Sequence, residues 1–296
     1  MNLGRVGVWT FTFDSQPWSK VAEAAAELEE LGYGAIWYPE AVGREALTQA
    51  ALLLGCTRRA VIASGIANIY ARDPMSAAAA HRALTEVYPE RFLLGLGVSH
   101  EHLVKKLRGH EYLSPLRKMR EYLEAMEKAY SITPPPPTQP RMAIAALGPK
   151  MLALAAERGI TAHPYFVPVQ HTAQAREILG TRSLLAPEMA FVLEKDPDKA
   201  RAVAREHMHV YLRAPNYQNS LKRLGYTDQD IVQGGSDRLV DDLVAWGDVE
   251  EVLARVRAHH EAGADHVCLQ ALSARPDEIP MWQYRKVAPA VLTSRS

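Results

Sequence analysis

The chain is expected to fold as an α/β protein, a (β/α)8 TIM barrel with a helical insertion between strands seven and eight. Three observations carry that expectation. Short β-prone apolar runs alternate with Ala-, Glu- and Leu-rich helical stretches along nearly all 296 residues, the pattern of a parallel sheet wrapped by helices. Two of the runs end at small or polar residues, Ser64-Gly65 and Gly97-Val98-Ser99-His100; ligands approach the backbone at such strand ends in parallel α/β proteins. The length, with 48% hydrophobic residues, suits one large barrel domain. A doubly wound open sheet is the alternative arrangement of the same elements.

In order, strand one spans 6–10 and a helix follows over 17–32, with Pro17 suited to an early helical position and Gly32 placed as a C-terminal cap. Strand two covers 34–38 and a second helix 44–57. Strand three is the run 60–66, helix three 74–88 and strand four 92–96. Helix four at 114–130 stops before Pro134-Pro135-Pro136-Pro137, which cannot continue a helix and reads as a stiff surface spacer. Strand five is 142–146, followed by a helix over 149–158. Strand six is 160–163, strand seven 186–193, and strand eight 264–270 after a helix at 249–263. The spacing breaks at 197–248, about fifty residues of helical character interrupted by Gly234-Gly235. We take them as an insertion over one end of a single barrel domain covering 1–296.

Composition narrows the function. Lys plus Arg equal Asp plus Glu at 34 each, which gives no support to nucleic-acid or acidic-membrane binding. No run of about 18 apolar residues marks a membrane span, and MNLGRVGVWTF has no signal-peptide core; a cytoplasmic protein is the expectation. Cys56 and Cys268 lie in apolar contexts and read as unpaired buried thiols. No Gly-x-Gly-x-x-Gly follows strand one, and no Walker A sequence, Gly-x-Ser-x-Gly elbow or paired-Cys motif occurs. No Lys stands at a strand end for Schiff-base work, which weighs against a barrel lyase, an aldolase or a ligand binder without redox cofactor.

Four segments, in order, resemble the luciferase-like monooxygenase superfamily and, within it, the branch that uses the deazaflavin coenzyme F420. They are Ile36-Trp37-Tyr38-Pro39-Glu40; Gly65-Ile66-Ala67-Asn68 with Arg72-Asp73-Pro74; Arg91-Phe92-Leu93-Leu94-Gly95-Leu96-Gly97; and Ala145-Ala146-Leu147-Gly148-Pro149-Lys150. With Gly263-Ala264-Asp265-His266-Val267 they cover nearly the whole chain. The resemblance implies a barrel with a flavin-like ring at its C-terminal mouth, backed by a bulge at Ser64, Gly65 and Ile66 that often contains a cis non-proline peptide. It also implies F420, with FMN as the alternative cofactor, a small-molecule substrate and a homodimer. The FMN alternative brings a separate cofactor reductase.

Several residues are candidates for that site. Leu147, Gly148, Pro149 and Lys150 open a helix whose free N–H groups and dipole favour an anion, such as a cofactor phosphate. Ser64, Gly65, Ile66, Ala67, Asn68, Gly97 and Val98 stand where the ring would lie, and the Asn68 amide can bond a carbonyl. Glu40 ends strand two, where relatives carry Asp or His; a buried carboxylate there can exchange a proton, and a surface position or a salt bridge to Arg44 is the alternative. His100 ends strand four and titrates near neutrality. His163, at the end of strand six, is a candidate for substrate or cofactor contact, and Trp9 and Phe11 for walls of an apolar substrate pocket. A metal at His100 and His102 lacks a third ligand of helpful spacing, so none is expected. His81 and His207, on Ala- and charge-rich helices, read as solvated. Tyr211, Arg213 and Tyr217 are candidates to reach the site, with no signal that selects among them.

Overall fold

The structure, a computed structural model, describes residues 1–275 and 278–293. The first half alternates strand and helix: β1 (Val6–Trp9), α1 (Trp18–Leu31), β2 (Ala35–Tyr38), α2 (Ala46–Cys56), β3 (Val61–Ser64), β4 (Ala67–Asn68), α3 (Pro74–Val87), β5 (Phe92–Gly97) and α4 (Pro115–Glu127). Then come β6 (Arg141–Ile144), α5 (Pro149–Arg158), β7 (Thr161–Ala162), α6 (Val169–Leu179) and β8 (Glu188–Val192). A longer excursion holds α7 (Pro197–Tyr211), α8 (Pro215–Arg223), α9 (Asp228–Ile231), α10 (Asp237–Leu243) and β9 (Val244–Trp246). The chain finishes with α11 (Val249–Glu261), β10 (Val267–Ala271) and α12 (Met281–Thr293).

Every strand pair is parallel, and the order is β7-β6-β5-β3-β2-β1-β10-β8-β9, with β4 also on β5. The first and last strands are neighbours, Val6 opposite Val267. The remaining gap closes where Ala162 bridges Leu185 and Glu188 N–H donates to Pro164 O at 2.9 Å. The sheet is therefore a closed barrel and not an open doubly wound sheet. Tyr284 of α12 clamps the seam, its hydroxyl donating to Trp9 O at 3.2 Å and accepting from Ala271 N–H at 3.1 Å.

Local chemistry explains the boundaries. Gly32 ends α1 at φ 101° and Gly159 ends α5 at φ 63°, the left-handed geometry that glycine adopts without a Cβ penalty. Asp73 caps α3 by accepting from Ser76 N–H at 3.0 Å, with Pro74 in the first turn. Glu29 on α1 collects the N–H groups of Arg58 and Ala60, at 2.9 and 2.7 Å, and so ties the loop before β3 to the helix layer.

Inside the barrel lie Trp9, Ala35, Trp37, Val61, Ala63, Leu93, Ala143, Ala186 and Cys268. The larger core sits between sheet and helices, and a third cluster joins Ala190 and Val192 of β8 to α7, α8 and α10.

Three elements differ from the sequence reading. The run 60–66 is not one strand: it breaks at Gly65-Ile66 into β3 and β4, each paired to β5. Strand six shortens to Thr161–Ala162. The stretch 197–248 is not wholly helical, because Val244–Trp246 is a strand that pairs with Ala190–Val192. Cys56 and Cys268 are free thiols, Cys268 buried and Cys56 partly so. Among the described residues, no helix is long and apolar enough to cross a membrane.

Candidate active site

The bulge between β3 and β4 is built on glycines and one serine. Ser64 Oγ donates to Gly95 O at 2.8 Å and accepts from Gly95 N–H at 2.9 Å, stitching β3 to β5. A Cβ on Gly95 would stand 1.9 Å from Ser64 O, so no side chain fits there. The next peptide, Gly65–Ile66, is cis. Gly65 N–H donates to Tyr38 O at 2.7 Å, Gly65 O accepts from Trp9 Nε1 at 3.1 Å, and Ile66 O accepts from Glu40 N–H at 3.0 Å. Ala67 and Asn68 then rejoin the sheet beside Leu96 and Gly97. Ile66 lies over Gly97, whose Cβ would come within 2.4 Å of Ile66 side-chain carbons. Ile66, Val98, Ser99 and His100 remain partly exposed around this bulge, at the C-terminal ends of β3 and β5.

Glu40 is 8% exposed and lies behind the bulge. Its carboxylate accepts from Asn68 N–H at 2.7 Å and Ala46 N–H at 3.1 Å, and it pairs with the Arg72 guanidinium. Arg72 also pairs with Glu45 at 2.7 Å and donates to Asn68 O at 3.2 Å. The partner is not Arg44, which bonds Phe13 O and Gln16 O instead. Asn68 is buried, and its Oδ1 accepts from Tyr70 N–H at 2.9 Å. These bonds knit the loop after β2 to the bulge.

His100 is half-buried at the end of β5, after Ser99, whose φ is 56°. Its ring lies 5.7 Å from that of Tyr217 and 6.0 Å from that of His102. Burial foremost, then the His102 charge, lowers its pKa against the opposing side-chain hydrogen bond to Asn216; the ring is neutral near pH 7 and able to take up a proton. Among the described residues, no group of three or more His, Cys, Asp or Glu is placed to hold a metal ion. His163 lies deeper than the mouth, 1% exposed, stacked on Trp37 at 4.4 Å with Nδ1 2.7 Å from Ala186 O. Its Nε2 points up under Gly65, 2.9 Å from where a Cβ on that residue would stand. Burial pushes its pKa down to about 4. Trp9 is buried against Tyr165 at 4.8 Å, while Phe11 is 38% exposed.

At the start of α5, Gly148 is the N-cap and supplies no side-chain cap, and Lys150 is exposed. The Arg223 guanidinium of α8 lies 3.6 Å from where a Gly148 Cβ would be, placing a second cation at a helix N-terminus that already favours an anion. His171 Nε2, 2.8 Å from Leu147 O, holds the approach to this turn.

Residues 4–266 match the family model for luciferase-like monooxygenases. The chain belongs to the luciferase-like monooxygenase family. Among curated proteins it is 25% identical, over 93% of its own length and 96% of the relative's, to a Mycobacterium tuberculosis protein whose name assigns it, provisionally, as a coenzyme F420-dependent oxidoreductase. Among solved structures it is similar to an F420-dependent secondary alcohol dehydrogenase in complex with an F420-acetone adduct (TM-score 0.78, 15% identity, 98% of this chain and 99% of that one). It is also similar to the oxygenating constituent of 3,6-diketocamphane monooxygenase from Pseudomonas putida in complex with FMN (TM-score 0.72, 14% identity, 96% of each chain). At such identities the solved structures establish a shared fold.

This luciferase-like barrel carries polar groups that the sequence reading passed over. Glu188 opens β8 ahead of four apolar residues and is 2% exposed; one oxygen accepts from Phe166 N–H at 3.0 Å, and burial pushes its pKa up to about 8. Tyr165 lies within hydrogen-bonding distance of both Tyr211 and Gln270, 2.9 Å each. A charged residue in an otherwise apolar strand was the available signal for Glu188; nothing local marks Tyr165 or Gln270. His81 and His207 are not solvated. His81 is 3% exposed and packs edge-on against Phe92 at 5.6 Å, because its helix face turns to β5. His207 is half-buried, its ring 5.0 Å from Tyr211, because α7 lies over the aromatic residues of the mouth.

Proposed function

We propose that this protein is an oxidoreductase that uses coenzyme F420 for hydride transfer to or from a small organic substrate. The observation that carries the reading is the glycine-built bulge, in which Ile66 lies over Gly97 and the Gly65 carbonyl is tied to Trp9. It offers a flat, side-chain-poor backing at the barrel mouth, and the start of α5 offers Gly148, Lys150 and Arg223 for an anionic tail. These residues fit a planar tricycle with a phosphate. When bound, the deazaflavin supplies the hydride chemistry. The chain's own contribution is position and proton handling. Ser64, Gly65, Ile66, Ala67, Asn68, Gly97 and Val98 back the ring, Leu147 to Lys150 hold the phosphate, and Trp9 and Phe11 wall the substrate side. His163 supports Gly65 from below. We assign proton exchange to neutral His100 and give Glu40, held by three donors, the part of fixing the bulge.

The full reading includes a single domain over 1–296 with 197–248 as an insertion, a homodimer and a cytoplasmic location. Reduced FMN with a separate reductase is the second reading, supported by the same phosphate end, which either cofactor fits. Fluorescence titration of the purified protein with F420 and FMN, each oxidised and reduced, decides between them. Tight F420 and weak FMN binding is the expected result. Preference for reduced FMN replaces the proposal with the second reading, and binding of neither removes both.

A further inference from the structure

We infer that the cavity between the ends of β1 and β10 and helix α7 takes a small, uncharged, largely apolar alcohol or carbonyl compound, and that Tyr211 holds its oxygen. The substrate class deepens the function proposed above and, as a redox substrate, rests on it. The binding site itself is argued from its own walls. The cavity has a volume of about 650 Å³ and is lined by Phe11, Ala202, Val203, His207, Tyr211 and Leu272 among others. β1 ends at Trp9 and β10 at Ala271, so the cavity opens on the face that carries the bulge. Its size suits a small ligand, and apolar walls with few polar groups are the usual recognition chemistry for one. The one cation among the described lining residues, Arg275, is paired with Glu278 at 3.4 Å, and Glu206 adds a carboxylate. An anion therefore finds no unpaired cation among the described lining residues.

Glu206, Arg275 and Glu278 line the cavity from exposed positions, and its less exposed polar side chains are Thr12, Ser273, Tyr211 and His207. His207 Nε2 is buried with no hydrogen-bond partner, and its ring is 5.0 Å from that of Tyr211. Burial foremost pushes the Tyr211 pKa up to about 12, and burial lowers that of His207 to about 4, so both are neutral and able to bond an uncharged oxygen. Behind Tyr211 a chain runs to Tyr165 at 2.9 Å and on to Gln270 Oε1 at 2.9 Å, ending at Gln270 Nε2, which is also buried and unpartnered. Tyr165 has one proton to give. With that proton on Gln270 Oε1, Tyr211 donates inward and presents lone pairs to the cavity, the partner a substrate hydroxyl needs. With the Gln270 amide turned over, Nε2 donates to Tyr165, Tyr165 donates to Tyr211, and the Tyr211 proton is free for a carbonyl oxygen. Each arrangement leaves one amide atom unpaired, so neither is locked in. An alcohol and its carbonyl counterpart exchange donor and acceptor roles at one oxygen, and this chain can follow that exchange.

The test is ligand-observed NMR titration of the purified full chain with cyclohexanol, cyclohexanone and cyclohexanecarboxylate at millimolar concentration. The same proteins are titrated with F420. The wild type is expected to bind the alcohol and the ketone and to reject the carboxylate. Tyr211→Phe, which removes one hydroxyl, is expected to weaken both neutral probes about five- to tenfold. Ala202→Trp, made on the exposed face of α7 and so independent of the buried chain, is expected to abolish their binding by filling the cavity. Carboxylate binding equal to that of the ketone, neutral probes unaffected by both substitutions, or no probe bound by the wild type would overturn the inference. F420 binding that persists while the probes fail leaves the cofactor reading standing alone. Probe binding lost in both variants while the wild type ignores F420 removes the cofactor reading and keeps the site.

Discussion

Gly97 shows how one missing methyl shapes this site. A Cβ there meets Ile66 at 2.4 Å, so Gly97→Ala must push the bulge away from β5. We expect a loss of about 1–3 kcal/mol in urea-monitored stability, together with weaker F420 binding because the backing surface moves. Gly55 on α2 is the contrast: its nearest neighbour is the Tyr88 hydroxyl at 3.8 Å, and Gly55→Ala should stabilise by about 0.5–1 kcal/mol without touching cofactor affinity. If both substitutions shift stability and affinity alike, the bulge is not what Gly97 serves. Ser99 and Phe166 add to the picture, since both hold positive φ, 56° and 59°, at the mouth, where backbone strain accumulates around binding sites.

At the level of elements, the pair Glu40 and Arg72 joins the end of β2 to the start of α3 across the bulge. Removing the carboxylate strands two backbone N–H groups and loosens a guanidinium whose remaining partners are Glu45 and Asn68 O. Glu40→Ala is expected to destabilise by about 2–4 kcal/mol in denaturant unfolding and to weaken F420 binding; Glu40→Gln, which keeps an acceptor for the N–H groups, should do less on both counts. A Glu40→Ala protein of unchanged stability would mean that the pair is dispensable to the frame.

The elements also mark how far the sequence could be read. Barrel strands and their helices announce themselves by alternating apolar and helical runs, and strand ends such as Gly65 and Gly97 announce themselves by small residues. The break at Gly65-Ile66 does not, because a continuous apolar run looks the same whether or not it turns in the middle. Val244–Trp246 is three residues long and follows directly on α10 with no turn residue between. His81 and Glu188 depend on which face of an element meets the core, and Tyr211 on a tertiary contact with Tyr165. Those are facts of packing that local composition does not encode.

For the molecule as a whole, burial of ionisable groups sets a pH window. His81, His163 and His266 have pKa values lowered to about 4 and His259 to about 3, in each case chiefly by burial. A depressed folded-state value means the unfolded chain binds the proton first. Their contribution is therefore present above the ordinary histidine value of 6.5 and is lost as pH falls towards 4. Glu188 has the opposite sign. Its pKa is raised from 4.5 to about 8, so its contribution is complete below 4.5 and is lost as pH rises through 8. The urea midpoint should fall steeply between pH 6.5 and 4. Glu188→Gln should raise stability above pH 8 by an amount on the order of 2–3 kcal/mol and change it little near pH 5. A flat midpoint on the acid side, or an alkaline side indifferent to Glu188→Gln, would contradict this account.

The seam between β1 and β10 has a consequence in time. Val6 pairs with Val267, and Tyr284 pins that seam from α12. During synthesis the first strand emerges with one edge unsatisfied and must wait for roughly 260 residues of translation before its neighbour exists. Until then the nascent chain presents an open, apolar sheet edge of the kind that pairs with other chains. The last tenth or so of the protein thus governs when the remainder becomes safe from aggregation, and a ribosome stalled before residue 267 would release a sheet that cannot close.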